Sequence, residues 1–389
     1  MEIDQERQQK AREYARLRRR ISWTEMAIVF AAIIVVLLLG WEKWLRDVLQ
    51  QFARSWAPLA WQPLAHWYPV QIVVYFLVLV CLAGLVTLPL TFYSGYTLPH
   101  RYGLSVLSLR GWINDLLKGA ALSLLFEICL VSLVYALLAW QPQLWWLWVA
   151  IILLFFSVVM ANLAPVLIFP LFYKFKPLPE GELTHRLLAL ADKAQTRVRG
   201  VYTMQMSNRT TTTNAALMGL GNTRRIVVGD TMLDRYTPDE IEVVLAHELG
   251  HHVHGDIWRL IASESVVTLC GLFLGNLILH WVVDSLHYYQ ALTDPATMLF
   301  FALLTSIFGL IILPINNLNS RACENNADEY ALHVTGKVDI FKTVMIHLAN
   351  QNLAELDPSP IIEFLFYSHP SISKRLAHAD KFAVQQQEK

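Results

Sequence analysis

The sequence predicts a mainly α-helical multi-span membrane protein that also carries a cytoplasmic α+β domain. Hydrophobic residues make up 55% of its 389 positions and charged residues only 16%, well below the roughly 25% typical of soluble domains. The apolar residues are concentrated in runs long enough to cross a hydrocarbon layer of about 30 Å. Lys and Arg number 31, as do Asp and Glu, so the total charge gives no reason to expect a nucleic-acid partner.

The first predicted span is the uncharged run at residues 26–41, which residues 21–25 extend to a membrane-crossing length. A cleaved signal peptide is the competing interpretation. A long basic leader precedes the run and no small-residue cleavage site follows it, so we expect this segment to be retained. The same length test predicts five further spans, at residues 70–90, 116–139, 144–169, 260–283 and 297–314.

Basic residues predict how these spans are oriented. Residues 7–20 are rich in Lys and Arg, whereas the loops at residues 141–143 and 284–295 contain neither. Because loops rich in Lys and Arg stay in the cytoplasm, we expect a cytoplasmic N-terminus and, by counting spans, a cytoplasmic polar domain. The predicted division is a four-span region at residues 1–169, a two-span hairpin at 259–317, and a cytoplasmic domain in two parts at 170–258 and 318–389.

Two carboxylates interrupt the apolar spans. Glu127 and Glu264 fall where an ionised group facing lipid would cost about 2 to 4 kcal/mol, so we expect both to face the interior of the helix bundle. One interpretation is a water-containing cavity between the helices. The other is a neutralised or paired carboxyl near the lipid headgroups.

The polar stretch after the fourth span predicts a helix followed by a small sheet. Residues 181–199 place leucine at helical spacing. Residues 201–207 alternate in polarity, residues 214–221 are small and apolar, and residues 224–229 are rich in β-branched side chains. A Gly-Asn turn signal separates the last two segments, so we expect at least one hairpin.

The next helix carries the strongest chemical signal. Thr237 as N-cap, Pro238 in the first turn and Glu240 form a capping box that predicts where this helix starts. Within it, His247 and His251 are four residues apart, which stacks the two imidazoles on one face. Zinc takes imidazole nitrogen readily, and two ligands on a rigid helix are already positioned. A solvated, His-rich helix end is the alternative interpretation.

Glu248 lies on the flank of the same face, where it can act as a general base without binding the metal. A hydrolytic zinc also needs a third protein ligand and an open position. The neighbouring His252, His254 and Asp256 are turned away from the histidine pair or lie too far along the helix axis to complete the site.

A better third ligand lies beyond the membrane hairpin. Residues 319–332 predict a second helix, just after the sixth span, with Glu324 and Asp328 on one face. The hairpin returns the chain to the side that it left, so Glu324 can meet the histidines.

These motifs together resemble the integral-membrane zinc metalloproteases of the CAAX prenyl protease type, the a-factor-converting endopeptidase family. The resemblance rests on HELGH at residues 247–251 and SRACENNADEYA at residues 320–331. PLFYKFKPLPEGEL, RRIVVGDTML and SHPSISKRL are also similar to blocks of that family. HRYGLS and GWINDLLKG extend the similarity to residues 100–376.

The resemblance implies a zincin-type (gluzincin) domain with one Zn²⁺ per chain. His247, His251 and Glu324 would be its ligands, and Glu248 would activate the water. It also implies that Asp328 orients a ligand histidine or supplies a proton.

Two further roles follow only from the resemblance. His369 would stabilise the oxyanion of the tetrahedral intermediate, although without the family it would be read as a surface histidine before Pro370. Asn214 would hold the substrate backbone by strand addition. The sequence departs from the family at Pro99, where Glu is common, in TTTN at residues 211–214, and in predicting six spans where eukaryotic members have seven.

The implied activity is zinc-dependent hydrolysis of peptide bonds in membrane-associated or prenylated proteins at the cytoplasmic membrane face. The expected partners are a peptide or protein substrate, prenylated or not, and membrane lipid. The membrane would be the cell membrane in a bacterium and the endoplasmic reticulum in a eukaryote. The alternatives are a membrane-protein quality-control protease without prenyl specificity, a site-two-type protease with HELGH inside the bilayer, and an inactive zinc-binding scaffold.

Overall fold

The computed structural model describes residues 3–56 and 68–388 and is mainly helical. Among these residues, six helices are long and apolar enough to cross a membrane, and each overlaps one predicted span. In chain order the first helices are α1 (Gln5–Leu39), α2 (Trp41–Trp56), α3 (Tyr68–Phe92), α4 (Leu98–Arg101), α5 (Leu109–Trp140), α6 (Trp145–Leu163) and α7 (Phe169–Phe172). π-Helical turns connect α3 to α4 and α6 to α7.

Helix α1 joins the basic leader and the first span in one element of 35 residues. The Asp4 carboxylate caps its start by accepting a hydrogen bond from the Arg7 backbone N–H at 3.0 Å. Gly40 ends it in the left-handed conformation, with φ of 68°. At 1.5 Å per residue the helix is about 52 Å long, so a polar portion extends well outside the hydrocarbon layer.

A four-stranded sheet lies between the fourth and fifth of the membrane helices along the chain. The elements are β1 (Phe175–Pro177), α8 (Glu182–Lys193), β2 (Val201–Met204), β3 (Ala215–Met218) and β4 (Arg225–Gly229). The strand order is β1-β2-β4-β3, with β2 and β4 parallel and the other two pairs antiparallel. The β3–β4 pair is the predicted hairpin, and β3 is an edge strand.

The rest of the chain contains the second pair of membrane helices and the helices beside the sheet. The prediction of a separate helix at residues 319–332 was wrong, because the sixth span continues without a break to Thr335, with Pro314 inside it. These elements are α9 (Asp230–Leu233), α10 (Pro238–Val253), α11 (Asp256–His280), α12 (Thr297–Thr335), α13 (Val338–Asn352), α14 (Pro360–Phe366) and α15 (Ile372–Gln387).

One hydrophobic core joins the sheet to the helices around it. Ile226 of β4, Leu245 and Leu249 of α10, and Phe341 of α13 are almost completely buried in it. The spans instead expose large apolar side chains, such as Phe155, which is 71% exposed. Exposed apolar surface of this kind is suited to lipid, and the buried core fixes α10 against the sheet and the end of α12.

The two intramembrane carboxylates both border cavities. Glu127 lines a cavity of about 190 Å³ between the helices. Glu264 lines a larger one of about 540 Å³, which α6, α11 and α12 border, and accepts a hydrogen bond from Asn316 at 3.3 Å. Both side chains are exposed, so the structure does not confirm the prediction that they face the interior of the helix bundle.

Candidate metal centre

The start of α10 is fixed by the predicted capping box. The Thr237 hydroxyl accepts a hydrogen bond from the Glu240 backbone N–H at 3.3 Å, and the Glu240 carboxylate accepts one from the Thr237 backbone N–H at 2.8 Å. Pro238 occupies the first turn, where it lacks only a hydrogen bond that the helix could not use. Because the cap fixes the start of the helix, it also fixes the direction in which His247 and His251 point.

Three side chains from two helices converge at one point. The Nε2 atoms of His247 and His251 are 3.2 Å apart. The Glu324 carboxylate lies 3.3 Å from Nε2 of His247 and 3.5 Å from Nε2 of His251. Within residues 3–56 and 68–388 this is the one group of three His, Cys, Asp or Glu side chains with ligand atoms this close together.

These distances fit a zinc ion. Two ligands at about 2.0 to 2.1 Å from a tetrahedral zinc are separated by about 3.3 to 3.4 Å, and the three measured separations lie within 0.2 Å of that range. One carboxylate oxygen of Glu324, Oε2, is buried and accepts no hydrogen bond among the described residues. Two ring nitrogens and a carboxylate oxygen facing one another can hold a cation between them, and zinc takes both ligand types.

Gly250 allows α10 and α12 to come this close. A Cβ atom at this position would lie 2.9 Å from Cα and 3.1 Å from the carbonyl oxygen of Ala327. Real Cβ atoms almost never approach backbone so closely, so any larger residue would separate the helices. Gly250 is next to His251, and Ala327 lies three residues after Glu324. The contact between Gly250 and Ala327 therefore limits how far apart these two ligands can lie.

Buried carboxylates contact the outer nitrogens of both histidines. Nδ1 of His247 lies 2.9 Å from Asp328, and Nδ1 of His251 lies 2.8 Å from Asp256. A carboxylate in this position holds the imidazole in the tautomer that leaves Nε2 free for a metal. Burial lowers the pKa of His247, but the nearby carboxylates of Asp328 and Glu324 outweigh burial and raise it to about 9, so a bound metal would have to displace a proton from this ring. The geometry thus supports the orienting role predicted for Asp328.

Sequence reasoning did not identify two members of this network. Asp256 was considered only as a direct ligand, whereas the structure places it behind His251. Arg375, which binds Asp328 through two hydrogen bonds, was not singled out, although it lies within the SHPSISKRL block. Its burial beside an acidic residue was the missing information, and this depends on the tertiary fold.

Glu248 lies between the metal ligands and the edge strand. Burial raises the pKa of its carboxyl, although His247 and His251 lower it and a hydrogen bond with the Leu217 backbone has the same effect. Leu217 belongs to β3, so the carboxyl lies beside the strand along which a peptide could add. A general base beside both the metal and the peptide is the arrangement that amide hydrolysis needs.

The loop after α14 brings His369 to the same centre. Its Nε2 lies 3.2 Å from Glu324 Oε1, and its Nδ1 lies 2.9 Å from the Ser368 hydroxyl. The side chain is 60% exposed, so it can meet a bound substrate. Arg321 holds the chain just before it, donating hydrogen bonds to the carbonyl oxygens of Glu363 at 2.9 Å and Tyr367 at 2.5 Å.

Asn214, His252 and His254 lie outside the group of three ligands. Asn214 is exposed and immediately precedes the edge strand β3, and its carbonyl oxygen accepts a hydrogen bond from the Gly229 backbone N–H at 2.9 Å. His252 and His254 are not part of the ligand cluster. His254 contacts the Gly250 carbonyl oxygen through Nδ1 at 2.8 Å, and burial together with the charge of Arg224 lowers the pKa of His252.

Comparison with known protein families gives two matches that together cover nearly the whole chain. Residues 177–383 match the family model described as Peptidase family M48. Residues 1–174 match the model described as CAAX prenyl protease N-terminal, five membrane helices. The boundary between the two matches falls at β1, between α7 and α8.

Individual relatives agree with these matches. A protein of Bacillus subtilis named an uncharacterized metalloprotease, YhfN, is 31% identical over 315 residues, which are 80% of this chain and 74% of that protein. The Saccharomyces cerevisiae CAAX prenyl protease 1 is 28% identical over 321 residues, which are 77% and 70% of the two chains. The crystal structure of S. mikatae Ste24p superposes with a TM-score of 0.79 at 25% identity, covering 97% of this chain and 89% of that one.

Proposed function

The chain belongs to peptidase family M48 and is a zinc metalloprotease of the membrane, and we propose that it cleaves membrane-associated proteins of the prenylated CAAX type at the cytoplasmic membrane face. The observation that carries the peptidase part of this proposal is the triangle formed by His247 and His251, just before the α11 span, and Glu324, in the part of α12 beyond its apolar segment. We further propose that its catalytic domain consists of residues 170–258 and 318–389, interrupted by the membrane hairpin 259–317.

The proposed mechanism assigns one task to each side chain. His247, His251 and Glu324 would hold the zinc, which would supply a Lewis acid for the scissile carbonyl and for the attacking water. Glu248 accepts the proton of the attacking water and returns it to the leaving amine. His369 donates a hydrogen bond to the carbonyl oxygen as negative charge develops there.

The edge strand β3 would position the peptide. β3 has one open edge, because β4 is its one strand partner within residues 3–56 and 68–388, and an extended peptide can add there through backbone hydrogen bonds. Asn214 at the start of β3 would bind the peptide backbone with its exposed amide. The buried pairs of Asp328 with His247 and of Asp256 with His251 would keep both imidazoles in one orientation.

A membrane-associated substrate is supported by the cavity beside the site. The cavity of about 540 Å³ that contains Glu264 extends to Ser368, the residue before His369. α11 starts at Asp256, only five residues after His251, so the metal site lies where the chain enters the membrane. A cavity with apolar walls on one side and the site at its end suits a lipid-modified or membrane-inserted polypeptide. The prenyl group itself is proposed from the family resemblance.

The experiment uses the purified full-length protein with zinc and two short peptides, one with an S-farnesyl cysteine and one without. We expect cleavage of the farnesylated peptide and its loss in Glu248→Gln, with zinc content unchanged. Glu329→Gln is the matched control, since Glu329 is an exposed glutamate of α12 that pairs with the exposed His333. Cleavage by Glu248→Gln at the normal rate would refute the proposed base. Equal cleavage of both peptides would instead favour a quality-control protease without prenyl specificity.

A further inference from the structure

A groove with apolar walls lies between α1, α2, α3 and α12, at the membrane face opposite the candidate metal centre. It has a volume of about 410 Å³. Met298, near the start of α12, lines the groove, whereas the proposed ligand Glu324 belongs to the far part of the same helix. At 1.5 Å per residue these two positions are about 39 Å apart, which exceeds the hydrocarbon thickness of about 30 Å. The groove is therefore separate from the proposed reaction site.

The groove has about the depth of one lipid leaflet. Along the first span it runs from Val29 to Trp41, which is about 18 Å of helix, and half of the hydrocarbon layer is about 15 Å. Trp41 and Trp44 lie at the end of the groove and are 54% and 62% exposed. Because tryptophan prefers the boundary between hydrocarbon and water, this end lies at the membrane surface. Such a groove suits one acyl chain whose headgroup lies beside the tryptophans.

Glu42 lines the same end of the groove, and it is the one charged residue among the described residues that do so. The side chain is 0% exposed, and its Oε2 atom is buried without a hydrogen-bond donor in the described parts of the chain. Oε1 accepts one long hydrogen bond from the Tyr288 hydroxyl, at 3.4 Å. A buried carboxylate that lacks partners is costly. A donor that does not belong to the chain would remove this cost.

A positive charge lies next to this carboxylate without neutralising it. Nζ of Lys43 is 3.2 Å from the centre of the Tyr288 ring, and within residues 3–56 and 68–388 it has neither an ion pair nor a hydrogen bond. Glu42 contacts the hydroxyl of the same tyrosine. The two opposite charges therefore meet one side chain but do not pair with each other. This arrangement complements a zwitterion that carries an ammonium group and a phosphate.

The surrounding contacts hold Glu42 in place. The Tyr75 hydroxyl donates a hydrogen bond to the Glu42 carbonyl oxygen at 3.0 Å. One turn later in α2, Arg46 pairs with Asp294 at 2.5 Å, and these two residues are 8% and 6% exposed. The start of α2 is thereby fixed against α3 and the loop before α12, so the Glu42 carboxylate is not free to turn into water.

We propose that this groove binds one phospholipid with a primary-amine headgroup, phosphatidylethanolamine, from the leaflet opposite the metal centre. Its ammonium donates to Glu42, its phosphate pairs with Lys43, and one acyl chain fills the groove. A prenyl chain of a substrate does not fit this position, because a peptide attached to it would be too far from the metal centre to be cut. The inference concerns a separate site and does not rest on the proposed peptidase function.

The test measures lipid binding to the delipidated full-length protein by native mass spectrometry. Phosphatidylethanolamine, phosphatidylcholine and phosphatidylglycerol are compared with identical acyl chains. We expect phosphatidylethanolamine to bind about tenfold more tightly, because a hydrogen bond to a charged group has about this effect, and the other two headgroups lack an ammonium N–H. Glu42→Gln should remove the preference. Glu180→Gln is the control, since Glu180 is an exposed glutamate between β1 and α8.

A second pair of variants tests the groove itself. Ala32 is exposed and lines the groove, so Ala32→Phe should weaken all three lipids by a similar factor. Ala31→Phe is its control, because Ala31 is exposed about 100° away on the same helix.

The wild-type comparison alone can overturn the proposal, whether or not the variants fold. Equal binding of the three lipids by wild type, or an amine preference that survives Glu42→Gln, would refute the headgroup site. Unchanged binding by Ala32→Phe would refute the groove as the place of the acyl chain. Displacement of phosphatidylethanolamine by the farnesylated peptide would reassign the groove to the substrate.

Discussion

Arg375 donates two hydrogen bonds to the carboxylate of Asp328, at 2.7 Å from Nε and at 2.5 Å from Nη2. The same carboxylate lies 2.9 Å from Nδ1 of His247. Arg375 and Asp328 are 8% and 1% exposed, so the pair is shielded from water. A chain of contacts from α15 through α12 to α10 therefore orients one imidazole of the candidate metal centre.

Replacing Asp328 by Asn should weaken zinc binding. Loss of a carboxylate that contacts a ligand histidine typically reduces metal affinity by about 10 to 100-fold, and leaving Arg375 buried without its partner costs about 3 to 5 kcal/mol of stability. Competition with a chromophoric chelator measures the affinity, and thermal unfolding measures the stability. Asp380→Asn is a suitable control because Asp380 forms an exposed pair with Lys342 between α13 and α15. Unchanged zinc affinity in Asp328→Asn would contradict the orienting role.

Gly250→Ala should separate the helices that carry the metal ligands. Alanine normally stabilises a helix by roughly 0.5 to 1 kcal/mol relative to glycine, but here its Cβ would lie 2.9 Å from the Ala327 backbone. Overpacking of this kind costs about 1 to 3 kcal/mol, so we expect lower stability and reduced zinc content. Gly309→Ala in α12 is the control, since nothing lies within 4 Å of its Cβ position. A variant as stable as wild type with full zinc content would show that α10 and α12 can adjust.

The zinc-motif helix was predictable because its signals are local. Thr237, Pro238 and Glu240 define its start within four residues, and the i, i+4 histidines follow from helix geometry alone. The edge position of β3 was expected from the resemblance, and the structure has it at the end of the strand order. Sequence patterns therefore predict an element correctly where residues close together in the chain determine its conformation.

The continuity of α12 was not predictable in the same way. Pro314 and the polar residues after it suggested an end to the span, yet a membrane-spanning helix can tolerate an interior proline when neighbouring groups compensate for the lost backbone hydrogen bond and the ring clash. Asn317 donates to the Leu365 carbonyl oxygen at 2.7 Å, a contact that only the folded chain provides. Arg375 and Asp256 were missed for the same reason, because their partners are distant in sequence or on another helix.

Arg321→Met should impair catalysis without removing zinc. Arg321 binds the carbonyl oxygens of Glu363 and Tyr367, and it therefore sets where His369 stands relative to Glu324. Because an oxyanion-stabilising group contributes about 10² to 10³ in kcat, partial displacement of His369 should lower kcat about tenfold with KM nearly unchanged. Arg321→Lys should recover part of the activity, and His369→Ala gives the upper limit of the effect. Loss of zinc in Arg321→Met would instead indicate a role in the metal site itself.

Asp230 should make the stability of the site depend on pH. Its carboxylate accepts hydrogen bonds from the Met206 and Ser207 backbone N–H groups at 2.8 and 2.9 Å and from the Ser207 hydroxyl at 2.6 Å. These bonds support the loop that leads to Asn214 and β3. Burial acts against ionisation, but the hydrogen bonds outweigh it and lower the pKa of Asp230 below its usual value of 3.8.

A lowered carboxyl pKa in the folded state stabilises the protein above the unfolded-state pKa, and this stabilisation is lost as the pH falls through the folded-state value. Asp230→Asn should therefore be less stable than wild type by about 1 to 3 kcal/mol at pH 7, and the difference should shrink as the pH is lowered below 4. Thermal unfolding of both proteins in the same detergent between pH 7 and pH 3 measures this. A difference that stays constant over that range would mean that the ionised carboxylate is not what holds the loop.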